Sequence, residues 1–491
     1  MQKMWMAIAL FLILPLCGGK QTSAQETDAQ QDAVRKLQDR MDQLRIQMTE
    51  IQSELDALHG EKLPHTGSIE TTPPPPPPPQ PKLTLEQEEQ AAGEATRRHR
   101  TFGEDEEDAP RLYNAPLEID EPGFFHLPGT QTMLKLDGSI RTDFLYDPTV
   151  SDLPDSFITS SIPIPHVSGP SGFNTSIRGS RFMTDFRIPV GDSKQARTFL
   201  QLDFFGANGA TAPRLRHFYA QIDNILVGQT FSNFMDPDAF PDTLDTQGPN
   251  AGISVRVPQA RYSFGLGKGS SMYVSLETPS SNIAFSVEGS PASPVTPTPD
   301  GTIRFRQEWE RGHIQLAADL RNLKVKLPNG EGSESAFGWG LNATTEMSVR
   351  GLDTVVAQVA YGYGMSRYVG DTAGLNLDAA PRSETNLSLR ALPIFATYGS
   401  YQHYWKPSLR SNGTFSFVQV QNTDFQPLTT YHKATYSSAN LIWNPVGSFD
   451  LGAEFLYGWV DEKSGAHADA PRIQFTGRYR FVKLHKEEQV P

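Results

Sequence analysis

From about Thr132 to Phe481 the chain contains short runs in which apolar and polar side chains alternate with period two. A period of two calls for strands with one wet face and one apolar face. Leu134, Leu136, Ile140, Phe144 and Tyr146 alternate with Lys135, Asp137, Ser139, Arg141 and Asp143. Leu200, Leu202 and Phe204 alternate with Gln201 and Asp203, and Ile303, Phe305 and Trp309 with Arg304, Arg306, Glu308 and Glu310. The same pattern returns in Ile314 to Arg321 and in Leu451 to Trp459.

Alternation fits a soluble sandwich as well as a membrane barrel, and three features favour the barrel. Aromatic residues gather near run ends, as in Phe144/Tyr146, Tyr361/Tyr363, Tyr401/Tyr404/Trp405 and Tyr457/Trp459, where interfacial girdles lie. The opposing face is charged, which a water-filled lumen tolerates and a dry core does not. The last run sets Ile473, Phe475, Gly477, Tyr479 and Phe481 against Arg472, Gln474, Thr476, Arg478 and Arg480, and it ends on an aromatic ring as closing strands of outer-membrane barrels do. A span of roughly 350 residues at about 22 per strand and connection predicts an all-β transmembrane barrel of about 16 antiparallel strands over 131–481. With 37% hydrophobic residues and 40 glycines, no long apolar helix dominates.

The N-terminal quarter reads differently. Lys3, the apolar run Met4 to Leu16 and the exit Thr22-Ser23-Ala24 make residues 1–24 a secretory signal too short to span a bilayer. Cys17 follows the bulky Leu16, which disfavours a lipid-acceptor reading, and cleavage after Ala24 removes the only cysteine. In 25–60, Val34, Leu37, Met41, Leu44, Met48, Ile51, Leu55 and Leu58 form an unbroken heptad seam. This is an α-helical coiled coil whose residue choice decides neither dimer nor trimer. A linker over 61–130 follows, with seven prolines, Pro73 to Pro79, that reach about 22 Å as a stiff spacer, and then an acidic tract. The formal charge of −13 belongs to this region: 25–125 carry 22 acidic and 10 basic side chains, net −12, and 126–491 carry 34 and 31, net −3.

Within Arg197 to Tyr262, the stretches Leu202-Asp203-Phe204-Phe205-Gly206, Arg214-Leu215-Arg216-His217-Phe218-Tyr219, Gly228-Gln229-Thr230-Phe231-Ser232, Gly248-Pro249 and Arg256-Val257-Pro258-Gln259-Ala260-Arg261-Tyr262 resemble the DcaP-like porin family. Gln315-Leu316-Ala317, Tyr401-Gln402-His403-Tyr404-Trp405 and Arg472-Ile473-Gln474-Phe475 extend the resemblance through the barrel. It implies a homotrimer of 16-stranded barrels in outer-membrane lipid, preceded by a periplasmic coiled coil and passing small anionic solutes such as dicarboxylates. It also implies that the segment after Ser232, about 232–252, folds inward as a constriction. One departure is the tail 482–491 beyond Phe481.

Channels select ions by lining charge and width. Assigning the lumen to the polar face nominates Lys135, Arg141, Arg181, Arg187, Arg261, Arg304, Arg306 and Arg321; Arg214 and Arg216 join from their family-like context, since their run does not show its wet face. Arginine suits the task because its planar fork meets a carboxylate bidentately and stays charged. Asp236, Asp238, Asp242 and Asp245 on the constriction, opposed to this basic wall, predict a transverse field across the narrowing.

No cofactor, metal site or enzyme signature is expected. Gly265 to Ser270 mimics a phosphate loop but lacks its required glycine spacing, the Asp-Pro-rich segment lacks a calcium-loop spacing, and no basic tract suggests nucleic acid. The leading reading is a passive, anion-preferring porin. Its alternatives are a general or sugar-type porin, a structural protein tying outer membrane to cell wall through the arm, and a secreted β-rich module.

Overall fold

A computed structural model describes residues 123–149, 153–165, 171–190, 194–287, 289–328 and 332–481. The signal segment, the coiled coil, the linker up to Glu121-Pro122 and the tail 482–491 lie outside the described residues.

Sixteen antiparallel strands close into a barrel. In chain order they are β1 Met133–Asp147, β2 Arg181–Val190, β3 Lys194–Phe205, β4 Thr211–Ile222, β5 Ile225–Phe231, β6 Arg256–Gly267, β7 Ser270–Glu277 and β8 Asp300–Trp309. The second half comprises β9 Gly312–Lys326, β10 Ser333–Arg350, β11 Asp353–Tyr363, β12 Pro393–Lys406, β13 Leu409–Val420, β14 Tyr431–Val446, β15 Phe449–Glu462 and β16 His467–Arg480. Each strand pairs with its neighbours in sequence, and the ring shuts where β1 meets β16, from Ser139 opposite Arg480 to Tyr146 opposite Ile473. Phe481 adds a last bond from its N–H to the Gly138 carbonyl, 3.2 Å. Short segments Phe125–His126, Gly172–Ser176 and Ser293–Val295 lengthen the ladder at its rims.

Connections of two or three residues, such as Asp223-Asn224 and Lys268-Gly269, lie at the end that holds the first residue of β1 and the last of β16. Connections at the other end run longer, as at 232–255 and 364–392. In barrels of this kind the short-turn end is periplasmic.

The alternation read from sequence sorts the faces. Ile140, Phe144, Leu316, Leu320, Phe455 and Phe475 are exposed on the outside, and Arg141, Asp143, Gln315, Asp319, Glu454 and Gln474 are buried on the inside. Exposed aromatics border the outer band, with Tyr401, Trp405, Trp443 and Tyr479 toward the short turns and Phe144, Tyr146, Tyr361 and Tyr457 toward the long loops.

The inner face is not uniformly polar. On β11 to β14 it carries Val356, Ala360, Ile394, Ala396, Val418, Val420 and Ala434, all buried in one apolar cluster. This sector receives the inward loops, so part of the interior is a dry core rather than a wet wall.

The outer band gives a direct test. Leu316 faces outward on β9. Leu316→Arg should destabilise the barrel by about 2–4 kcal/mol in a bilayer, measured by denaturant titration of reversible folding into vesicles.

Candidate pore constriction

After Phe231 the chain turns into the barrel and runs across its interior as Ser232 to Val255 before rejoining the wall at Arg256. Nearly every residue of this loop is buried. An irregular segment enclosed in this way must find backbone partners, and the wall supplies them. Glu277 of β7 accepts from Ser232 Oγ and Asn233 N, both at 2.8 Å. Asn342 and Gln315 amides donate to the carbonyls of Phe234, 2.9 Å, and Met235, 3.1 Å. Tyr398 Oη donates to Ala239 O at 3.0 Å, and Asn440 to Asp242 O at 2.7 Å. Arg141 and Gln474 both donate to Leu244 O, and Gln358 bonds Ala251 O at 2.7 Å.

Apolar packing completes the seat. Phe234, Met235, Phe240, Ala251 and Ile253 sink into the β11–β14 sector together with Met365, Tyr368 and Val369 of the 364–392 loop, and Ile253 pairs with Val369 through an isolated bridge. Each large side chain so buried contributes roughly 1.5–3 kcal/mol. Two wall glycines make room: a Cβ on Gly452 would meet Leu244 at 2.7 Å, and one on Gly340 would meet Phe234 at 3.1 Å.

The loop carboxylates do not oppose the basic wall across open space, as the sequence suggested. They touch it. Arg306 Nη1 and Nη2 reach Asp236 at 3.1 Å and Asp238 at 2.6 Å, His313 Nε2 lies 2.8 Å from Asp236, and Thr344 donates to it at 2.5 Å. Burial pushes the Asp236 carboxyl up, but the fields of His313 and Arg306 outweigh it and hold the group far below its ordinary range. Asp242 accepts from Arg410 at 2.6 Å and Gln402 at 2.9 Å. Asp245 alone of the four has no ion pair among the described residues. The expected transverse field is therefore replaced, at Arg306 and Arg410, by direct ion pairs, because the loop docks on the wall.

The nominated wall cations all fall on the inner face, with different partners. Lys135 lies 3.8 Å from Asp137, Arg141 pairs with Asp143 at 2.9 Å, and Arg187 pairs with Asp185 at 2.9 Å. Arg181 sits half-buried opposite Ser139. Arg321 is fastened to Asp300, 3.2 Å, and Asp378, 2.9 Å, tying the 364–392 loop to the wall. Arg214 and Arg216 both reach Asp203, at 2.6 and 3.1 Å. A bulge in β4 explains why their face was illegible: Gln201 pairs with His217 but Leu202 with Leu215, so inward parity changes within the strand and Arg214, Arg216 and His217 all point in.

Arg261 and Arg304 differ from the rest. Among the described residues neither has a carboxylate partner. Arg261 donates from Nε to Gln259 Oε1, 3.0 Å, and from Nη2 to Phe231 O, 2.6 Å. The Arg304 guanidinium lies 3.7 Å from the centre of the Tyr273 ring, and its Nε has no acceptor. In the ladder Arg261 is level with Ser275, and Arg304 with Tyr273, one inward rung away. Sequence reasoning missed Arg197, Arg367 and Arg410, which neutralise carboxylates on neighbouring strands or loops, and His313, which contacts Asp236.

The two kinds of arginine should separate on mutation. Arg306→Ala removes the guanidinium shared by the buried Asp236 and Asp238 and should cost about 3–5 kcal/mol, read as a lowered unfolding midpoint. Arg304→Ala should leave that midpoint nearly unchanged.

The match to known proteins covers this whole architecture. The family model described as DcaP outer membrane protein matches residues 124–481. The crystal structure of the outer membrane channel DcaP of Acinetobacter baumannii superposes with a TM-score of 0.64 at 25% identity, covering 73% of this chain and 99% of that one. More distant are OmpF of Salmonella typhi in complex with daunomycin, TM-score 0.46, 11% identity, 73% of this chain and 100% of that one, and a loop-deletion form of OmpT of Vibrio cholerae, TM-score 0.44, 11% identity, 71% and 99%. No curated protein matches the sequence. With closed barrel, inward loop and family match in agreement over the same residues, the chain belongs to the DcaP outer membrane protein family, a family of outer-membrane channels.

Proposed function

We propose that the chain is a passive porin that favours small anionic solutes, dicarboxylates among them. The observation that carries this reading is the pair Arg261 and Arg304, inward-facing cations with no carboxylate of their own among the described residues. Paired arginines on the wall present little net charge to a passing ion. An unpaired guanidinium offers its planar fork to a solute carboxylate in exchange for water. Tyr273 holds the Arg304 guanidinium against its ring, 3.7 Å from the centroid. Nothing in this mechanism requires energy input: selectivity arises from the local concentration of anions beside the pair.

The assembly we propose is a homotrimer in the outer membrane with the coiled coil of 25–60 projecting into the periplasm on its proline spacer, in reach of the cell wall. Supporting this are the heptad seam, which needs partner helices to bury it, and the shortness of β5, seven residues where β10 has eighteen, which lowers the wall on one side of the barrel.

In planar bilayers under a tenfold salt gradient the purified protein should give a reversal potential of anion-favouring sign. Removing one cation about 4 Å from the permeant charge in a watery lumen forfeits about 1 kcal/mol, so Arg261→Ser with Arg304→Ser should lower the anion-to-cation permeability ratio several-fold. A wild-type potential near zero or of cation-favouring sign rejects the reading. Deleting residues 25–60 should weaken the trimer on native gels while leaving single-channel conductance in place.

A further inference from the structure

We infer that the tip of the inward loop is a proton-held latch, in which Asp245 and Glu454 keep the loop docked when they carry a proton and release it when both are ionised. The other loop carboxylates are each gripped by a cation: Asp236 and Asp238 by Arg306, Asp242 by Arg410. At the tip the arrangement reverses, and a loop carboxylate meets a wall carboxylate. Asp245 is 3% exposed and Glu454 of β15 is 2% exposed. The Asp245 N–H donates to Glu454 Oε2 at 2.8 Å, so the two residues are locked together at the backbone of one and the carboxyl of the other. Asn440 donates to Glu454 Oε1 at 3.1 Å, and the Gln247 N–H to Asp245 Oδ1 at 3.3 Å, while Asp245 Oδ2 has no partner.

The charged and titratable groups around them are committed elsewhere. Arg141 of β1 is bound to Asp143 and the Leu244 carbonyl, and Arg472 of β16 to Asp147, 2.6 Å, and Leu153 O, 2.9 Å. Tyr436 of β14 faces both carboxyls, and Asp242 one turn earlier in the loop is already occupied by Arg410. Two buried carboxylates in this setting cannot both ionise without a large electrostatic penalty. Burial, against the weaker pull of Gln247 N–H, Arg472 and Arg141, pushes the Asp245 carboxyl up to about 7 from an ordinary value of 3.8. The docked tip therefore holds its proton through a range in which a released tip would lose it. The Asp245 proton by itself makes docking tightest below the ordinary value and weakens it by up to about tenfold per pH unit as pH rises through about 4 to 7. What undocks is also well placed to matter, since Leu244 beside the latch fills the space over Gly452 against Ile442.

The test reads loop release and conductance together on the full protein. Amide exchange over 240–248, corrected for intrinsic rates, should speed up between pH 5 and pH 8, with a matching step in single-channel conductance. In the double variant Asp245→Asn with Glu454→Gln, which keeps the hydrogen-bonding oxygens but cannot ionise at either position, both changes should vanish and the pH 5 behaviour should persist. A step that survives in the double variant, corrected exchange that does not depend on pH, or a step abolished by chelating divalent cations overturns the latch. The reversal potential from the same recordings keeps this outcome separate from anion preference: the latch can fail while selectivity stands, and the reverse.

Discussion

A backbone that crosses hydrocarbon must pair every N–H and C=O within itself, and in this chain the obligation is discharged only when β16 finds β1. That single seam, Ser139 to Tyr146 against Arg480 to Ile473, removes the last open edge and fixes which face every other strand turns outward. Phe144 and Phe475, paired across it, are both lipid-facing, and Asp143 and Thr476 are both inward and hydrogen-bonded at 2.6 Å. Sliding the seam by one residue would put Asp143 into the membrane and Phe144 into the interior.

Closure creates an interior, and two different chemistries divide it. The β11–β14 sector is filled by Phe234, Phe240, Ile253 and Tyr368 as a soluble protein would fill its core. Elsewhere the wall is lined with ion pairs, from Arg187 with Asp185 to Arg478 with Asp450. Neutralised pairs of this kind order the wall and define its shape, and they contribute little field at a distance. The proposed anion preference rests on groups without a carboxylate partner, Arg261 and Arg304 foremost. Total charge was therefore a poor guide, and so was the number of arginines on the wet face.

How far the sequence could be read follows the range of the interactions involved. The outward residues of β1, β8, β9, β15 and β16 were legible because alternation is a local property. The orientation of Arg214 and Arg216 was hidden by the bulge, which changes parity without leaving a distinctive residue. The dry sector was hidden because Val356, Ile394 and Val418 face inward on strands whose outward residues, such as Val359, Phe395 and Phe417, are also apolar, so no alternation remains to be seen. Pairing of Arg306 with Asp236 and of Arg410 with Asp242 spans 70 and 168 residues, and only docking of the loop brings them together. The resemblance to DcaP-like porins placed the loop in the lumen, but it could not say that its carboxylates would be seated on the wall.

The dry seat also constrains how such a molecule can be made. The loop rests on side chains from β7 through β16 and from β1, so its binding surface exists only once nearly the whole sheet has curled around it. A ring that shut first would have to admit twenty-odd residues, two of them phenylalanines, through its rim and then expel the water already inside. Enclosure of the loop while the sheet is still open avoids both steps. On that route the loop acts as a mandrel around which the last strands are wound, and the apolar sector serves biogenesis before it ever serves transport.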